Sequence, residues 1–189
     1  MESTLKLYMV MLGCTPKGRI TEQHDIFFGI GTSLKNLVPQ MNEFWPEAKG
    51  KIHIDAWREV TMVDGFKIDV VPNLGNAANP DKLFFINLGG YKQNEFEEYH
   101  YKILTVAQTL AIATKKSKET TFYKHFGFKG ATSHIDDKYG IDVDDIYNVE
   151  DILAPEFKQQ YQLSIIPNPN AQEDKLHIGY VMIEKLLKG

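Results

Sequence analysis

The pattern of apolar positions predicts two strands near the start of the chain. Residues 6–13, KLYMVMLG, form a dense apolar run of β-forming side chains that ends at a glycine, and residues 24–30, HDIFFGI, form a second run. The intervening residues 14–19, CTPKGR, contain the proline and glycine that favour a turn. Two such runs joined by a short turn predict a hairpin of buried strands.

A helix is predicted to follow this hairpin, because apolar residues recur three or four positions apart. The stripe comprises Leu34, Leu37, Val38, Met41, Phe44 and Trp45. Thr32 or Ser33 is expected to cap the N-terminus of the helix, Pro39 is expected to kink it and Pro46 is expected to end it. Residues 51–60 and 66–71 are then predicted to be strands on either side of a turn.

The start of this pattern recurs later in the chain, which indicates an internal duplication. Residues 82–89, KLFFINLG, repeat KLYMVMLG with half of the aligned positions identical. Glu98 and His100 follow the second run at the spacing with which Glu22 and His24 follow the first. Matches that stay in order along the chain are expected of a copied unit, whereas chance matches would be scattered.

The later part of the duplication is less regular. The tripeptide HID at residues 53–55 recurs at residues 134–136, at a somewhat larger spacing. Residues 175–178, KLHI, also resemble KIHI at residues 51–54. Two later segments are therefore candidates for the counterpart of the first His-Ile strand.

The fold class predicted from these elements is α+β. The elements of the second copy are two strands, a helix, an acidic irregular insertion and a closing pair of strands, at residues 82–88, 99–106, 108–123, 138–160, 161–166 and 176–183. We expect two diverged ββαβ units in a pseudo-two-fold relation, with mostly antiparallel sheet and the helices on one face. The first unit is assigned residues 1–75 and the second 80–189, together forming one compact body.

Composition narrows the range of functions. The chain has a net charge of −4 and one cysteine, Cys14, so no internal disulfide can form. Arg19 and Arg58 are its only arginines, although arginine is the preferred contact to nucleic acid. No apolar run approaches the roughly 20 residues of a membrane span. We therefore expect a cytoplasmic protein that binds neither nucleic acid nor membranes.

Histidines with an acidic neighbour occur at matching places in both copies, and they are the candidate ligand-binding residues. The set comprises His24, His53, Asp55, His100, His134 and Asp136. Residues two apart on a strand point to the same face, so each histidine is expected to lie beside a carboxylate. Such pairs suit acid–base chemistry or metal ligation. The alternative is hydrogen bonding between strands without any ligand.

No catalytic residue, metal ligand or cofactor can be assigned from the sequence. The spacing lacks the pattern of a strong zinc signature such as H-E-x-x-H. The acidic residues 136–145 could hold a hard cation, but their order does not match an EF-hand, and a solvated loop is the preferred interpretation. Cys14 could react, although its counterpart in the second copy is Gly90, which argues against a shared nucleophile.

Three segments carry a resemblance to a known family. They are EQHDIFF at residues 22–28, HIDAWREV at residues 53–60 and SHIDDKYGID at residues 133–142. With these segments the chain resembles a bacterial domain-of-unknown-function family, number 1543, here with two copies of the unit. The resemblance implies a bacterial cytoplasmic protein and supports the duplication. It implies no catalytic residue, because the family has no established activity.

Two functions remain open at this point. The first is the binding of a small ligand, with or without enzymatic turnover, in a His/carboxylate pocket between the two units. The second is a structural or protein-interaction module without catalytic activity, which could be a homodimer. The abundance of aromatic residues, 12% of the chain, favours the second, because aromatic side chains are enriched at interfaces.

Overall fold

The architecture comes from a computed structural model that describes residues 4–75, 79–92, 94–119, 141–170 and 172–188. The chain forms two compact units. The first unit consists of Met1–Asn76 together with Leu153–Gly189, and the second consists of Ala77–Ile152. Within the described residues, no helix is both long enough and apolar enough to cross a membrane.

Ten strands and five helices make up the described part of the chain. The strands are β1 (Lys6–Cys14), β2 (Gln23–Gly31), β3 (His53–Val60), β4 (Met62–Val63), β5 (Phe66–Pro72), β6 (Lys82–Tyr91), β7 (Glu98–Ala107), β8 (Ile141–Asn148), β9 (Tyr161–Pro167) and β10 (His177–Met182). The helices are α1 (Val38–Phe44), α2 (Leu110–Ser117), α3 (Val149–Ile152), α4 (Pro155–Gln160) and α5 (Ile183–Lys188), with 3₁₀ turns at Leu34–Leu37 and Pro46–Ala48.

The first unit is built on a four-stranded antiparallel sheet in the order β10-β3-β1-β2. Strand alternation points every second residue of β1 to one face of this sheet, and these residues are Tyr8, Val10, Leu12 and Cys14. They pack against Leu37 and Met41 from the helical segment, all of them buried. Complete burial of one such aliphatic side chain contributes about 1.5–3 kcal/mol, so this face is the core of the unit.

The helical segment of the first unit is divided into a 3₁₀ turn and a short α-helix close to Pro39, where a kink in one helix was predicted. Ser33 caps the 3₁₀ turn, since its hydroxyl accepts a hydrogen bond from the backbone N–H of Asn36. Pro39 lies in the first turn of α1, where a backbone N–H has no hydrogen-bond partner within the helix, so the N–H that proline lacks is not needed. The helix ends at Phe44, and Pro46 begins the second 3₁₀ turn.

The C-terminal strands pair with the first unit, which differs from the predicted assignment of residues 80–189 to the second. They were also expected to pair with each other. Instead, β9 pairs with β5, and β10 pairs with β3. The reason is apolar complementarity: Ile165 lies opposite Ile68 in the β5–β9 pair, and both are buried.

The second unit contains a three-stranded antiparallel sheet in the order β7-β6-β8. Thr109 caps α2, and Ala113 of this helix packs onto Ile86 and Leu88 of the central strand β6. Residues 138–160 were predicted to be irregular, but 141–148 form strand β8, and α3 and α4 follow it. Apolar residues of β8 pack against the core of the unit, which explains why an acidic segment forms a strand.

Both units share a ββαβ topology in which the first strand lies between the second strand and the strand after the helix. The α+β class with mostly antiparallel sheets is therefore confirmed. The duplication itself stays a prediction, with which the matching topologies are consistent. In the second unit β8 occupies the place of β3, so the counterpart of residues 53–55 in the sheet is 142–144. Residues 134–136 lie outside the described part of the chain.

Asp174 fixes the segment before β10 onto the corner between β3 and β4. Its side chain is 5% exposed and its Oδ2 lies 2.7 Å from Arg58 Nη2. The same carboxylate accepts hydrogen bonds from the backbone N–H groups of Thr61 and Met62 and from the Thr61 hydroxyl. A buried carboxylate with this many donors ties the C-terminal segment to the first unit.

We expect Asp174→Ala to lower the free energy of unfolding by about 3 kcal/mol, because it leaves the Arg58 guanidinium without its buried counter-ion. The matched control is Asp69→Ala, which removes an ion pair to Lys67 at 2.7 Å whose two side chains are 51% and 40% exposed. The control is expected to cost less than about 1 kcal/mol. Urea unfolding monitored by fluorescence compares the two variants, and equal losses would contradict this account of Asp174.

Candidate functional site

A β-bulge and a glycine shape the polar face of the first unit, which is the face of its four-stranded sheet that points away from the core. Gly13 on the central strand lies opposite His24 on one side and His53 on the other. The pairing between β1 and β3 shifts between Met11 and Leu12, so that Asp55 is an extra residue on β3. Directly opposite residues in antiparallel strands share a face, so both histidines lie on the face away from the core.

Gly13 is required because the side chains from the neighbouring strands cover its backbone. A methyl group built at this position would collide with His53 Nε2 and Asp55 Oδ2. The absent side chain therefore lets a histidine and a carboxylate meet over the middle strand.

Two imidazoles and two carboxylates converge above this glycine. Asp55 Oδ2 lies 3.3 Å from His24 Nε2 and 3.4 Å from His53 Nε2. Glu22, just before β2, places Oε1 3.1 Å from His53 Nε2 and Oε2 3.7 Å from His24 Nε2. His53 is 12% exposed and His24 is 42% exposed, so the cluster is sheltered on one side and open on the other. We refer to these four residues as the first cluster.

Asp55 Oδ2 is the buried acceptor of the first cluster. It has almost no contact with solvent, and no donor among the described residues forms a hydrogen bond with it. The two imidazole nitrogens are close enough for an ion pair but are not aligned for hydrogen bonding. A buried carboxylate oxygen without a hydrogen bond raises the free energy of the folded protein. A ligand that donates a hydrogen bond to this oxygen would lower that free energy and bind more tightly.

One aromatic side chain borders the first cluster on the side of β10. The ring of Tyr180 lies 4.6 Å from the ring of His53, measured between centroids, and restricts it. A second aromatic contact lies on the opposite face of the sheet, where Trp57 is paired with Val10 and packs against the core. There His177 stacks on Trp57 at 3.9 Å with an interplanar angle of 3°, away from the cluster.

Cys14 does not contribute a reactive group to this region. The sequence suggested that it could react, but its side chain is buried among the core residues of the first unit. Burial raises the pKa of the thiol, the nearby Glu22 raises it further, and Lys51 acts in the opposite direction. The thiol is therefore protonated at neutral pH and poorly nucleophilic.

The second unit carries a related cluster of Glu98, His100 and Asp144, which we call the second cluster. One ligand atom from each of the three side chains lies within 4.8 Å of the other two. His100 Nε2 is 3.3 Å from Asp144 Oδ2. Gly89 lies opposite His100, and a methyl group at Gly89 would collide with the Asp144 carboxylate.

The predicted site residues are distributed over both clusters. His24, His53 and Asp55 meet in the first cluster, and His100 lies in the second cluster within its own unit. His134 and Asp136 lie outside the described residues.

The sequence interpretation left Asp144 in an acidic loop. A signal for it was present: residues 141–144, IDVD, follow the pattern of residues 52–55, IHID. IDVD keeps the apolar alternation and the terminal aspartate of IHID but replaces its histidine, whereas the exact HID tripeptide occurs at residues 134–136.

Comparison with known proteins finds a family model that matches part of the chain. Residues 19–70 match the family model described as Domain of Unknown Function (DUF1543). We refer to these matched residues as the DUF1543 segment. The match confirms the family resemblance, while bacterial origin and a second copy stay predictions. All four residues of the first cluster lie within the DUF1543 segment.

The fold also has a relative among solved structures. The crystal structure of a protein Il1583 from Idiomarina loihiensis is similar with a TM-score of 0.63 and 21% sequence identity, over 93% of this chain and 96% of that chain. At this identity the similarity supports the fold and not a function. No curated protein matches the chain.

Gly13→Ala is expected to displace His53 and Asp55 from above the central strand, because the added methyl group occupies their place. We expect the imidazole NMR resonances of His53 and His24 to shift, with a stability loss of about 1–3 kcal/mol from the overpacking. His177, which stacks on Trp57 outside the cluster, serves as the internal control in the same spectrum. Unchanged His53 and His24 resonances in the folded variant would show that Gly13 does not shape the cluster.

Proposed function

We propose that this protein binds a small polar ligand at the first cluster, Glu22, His24, His53 and Asp55. The observation that carries the proposal is the buried Oδ2 of Asp55, which two imidazoles approach without forming a hydrogen bond. A ligand bearing a hydroxyl, amide or ammonium donor would satisfy this oxygen. The open side at His24 offers a route for such a ligand to enter.

The same groups suit a proton-transfer step on the bound ligand. Imidazole is the side chain that most readily gains and loses a proton near neutral pH, and a carboxylate beside it can orient the ring toward a ligand. His53 is restrained by Tyr180 and Glu22, whereas His24 is in contact with solvent and can exchange protons with it. Turnover is therefore part of the proposal, with His24 as the proton-exchanging group.

The full predicted set, in which His100, His134 and Asp136 join His24, His53 and Asp55, stays a prediction, as does a pocket shared by the two units. The argument for ligand binding stands on the first cluster alone, because its four residues lie in one unit. A cytoplasmic location likewise stays a prediction.

A thermal-shift screen with a library of small metabolites tests this proposal, because a ligand that binds only the folded state raises the melting temperature. The variant Asp55→Asn removes the charged acceptor, and a hydrogen bond to a charged group contributes about 1.5–3 kcal/mol. We therefore expect the affinity of a bound ligand to fall by roughly 10-fold to 100-fold in this variant.

The matched control is Asp25→Asn. Asp25 lies on the same strand as His24, but it is exposed and its Oδ1 accepts a hydrogen bond from the backbone N–H of Ile26. Ligands should bind this control like the unmodified protein. Equal binding by Asp55→Asn and Asp25→Asn, or no library compound that binds the unmodified protein, would count against the proposal.

A second candidate function is self-association through the edge of the first sheet. β10 lies at the end of the strand order β10-β3-β1-β2, so one side of it has no partner among the described strands of this sheet. Ile178 and Tyr180 on β10 are 83% and 62% exposed. An apolar edge strand is a template for pairing with another chain, which favours a homodimer or interaction module.

For this second candidate we expect a dimer in multi-angle light scattering, and we expect Ile178→Lys to make the protein monomeric by placing a charge at the edge. Ile20→Lys is the matched control, because Ile20 is fully exposed but lies in the loop between β1 and β2. A monomer at every concentration of the unmodified protein would rule out this candidate and leave ligand binding unaffected.

A further inference from the structure

We propose that Glu98, His100 and Asp144 form a binding site for a divalent transition-metal ion of the zinc or manganese class. This second cluster lies within the second unit and shares no residue with the first cluster, so the inference does not depend on the proposed ligand. Of all the groups of histidine, cysteine and acidic residues in the described part of the chain, this is the one whose ligand atoms lie close enough together to hold an ion.

The distances suit a metal with nitrogen and oxygen ligands. Zinc bonds of about 2.0–2.1 Å in tetrahedral geometry place neighbouring ligand atoms about 3.3–3.4 Å apart. His100 Nε2 and Asp144 Oδ2 are already 3.3 Å apart. The ligand atoms of all three side chains lie within 4.8 Å of one another, so Glu98 is near enough to supply the third ligand.

Strand pairing holds the backbone around the second cluster in place without a bound ion. Glu98 and His100 are two apart on β7 and therefore share a face. Asp144 comes from β8, at a register shift between Asn87 and Leu88 of the central strand. Both flanking strands are hydrogen-bonded to β6, and Gly89 leaves room for the carboxylate over that strand. A site on paired strands holds its ligands more precisely than a site on a loop.

The donor set selects the class of ion. Two carboxylates supply negative charge that attracts a cation, while the imidazole is a good ligand for zinc and a poor one for magnesium or calcium. Three protein ligands leave at least one coordination position for water, and the second cluster is open to solvent with His100 36% and Asp144 25% exposed.

Tyr91 lies beside the site but outside the ligand set. It is directly opposite Glu98 in the β6–β7 pair, so the two side chains share a face. A polar side chain next to a ligating carboxylate is the kind of neighbour that orients the ligand in metal sites.

Isothermal titration of the chelator-stripped full chain with Zn²⁺, Mn²⁺ and Mg²⁺ tests the inference. We expect Zn²⁺ to bind more tightly than Mn²⁺, and Mg²⁺ not to bind measurably. His100→Gln and Asp144→Asn should each weaken Zn²⁺ binding by at least about 10-fold, because each removes a ligand. Asp145→Asn is the matched control, since this neighbouring aspartate is not one of the three ligands.

His24→Gln separates the two clusters. The variant leaves the second cluster intact, so Zn²⁺ binding that depends on His100 should persist in it. Circular dichroism establishes that each variant is folded. Should a variant unfold, the unmodified protein still gives an answer by NMR: Zn²⁺ should shift the imidazole resonance of His100 and not that of His177.

Absence of Zn²⁺ binding by the unmodified protein would overturn the inference. Zn²⁺ binding that His100→Gln leaves unchanged, or a His100 resonance that Zn²⁺ does not move, would overturn it equally. These outcomes are distinct from failure of the proposed ligand-binding function, which is read from Asp55→Asn with organic ligands.

Discussion

The polar clusters of both units depend on one steric constraint, a glycine on the central strand beside a bulged aspartate on its neighbour. Gly13 and Gly89 lie at matching places, and each leaves its backbone covered by carboxylate oxygens from the adjacent strand. The bulge lets the aspartate remain on the polar face while the residues beyond it return to the core. An ordinary side chain at either glycine would separate the groups that make the cluster.

The glycine and the bulged aspartate occur in both units, but the other polar side chains around them differ. The two units are therefore suited to different chemistry. In the register of the first unit His53 of β3 is paired with Gly13, whereas in that of the second unit Asp142 of β8 is paired with Gly89. The first cluster therefore has two imidazoles around a buried carboxylate oxygen, a set suited to a polar ligand and proton transfer. The second cluster combines one imidazole with carboxylates, a set suited to a cation.

The C-terminal segment contributes to the first unit in a way that affects its cluster. Asp174 anchors the segment at the corner after β3 by accepting hydrogen bonds from Thr61 and Met62 and pairing with Arg58. The following strand, β10, then brings Tyr180 against His53. Residues far from the DUF1543 segment thus complete the surroundings of its histidines, because strand pairing and a buried ion pair hold them there.

The sequence by itself determined the first two strands of each unit, the place of the helical segment after them and the pairs Glu22–His24 and His53–Asp55, because these depend on local alternation and spacing. The apolar run at residues 6–13 became β1, and Glu22 and His24 lie beside each other near the start of β2. Only the tertiary structure decided that β9 and β10 join the first unit and that Asp144, within a segment predicted to be irregular, meets His100. Strand pairing between distant segments and the placement of a bulge depend on which apolar surfaces fit together, and the local sequence pattern does not encode that choice.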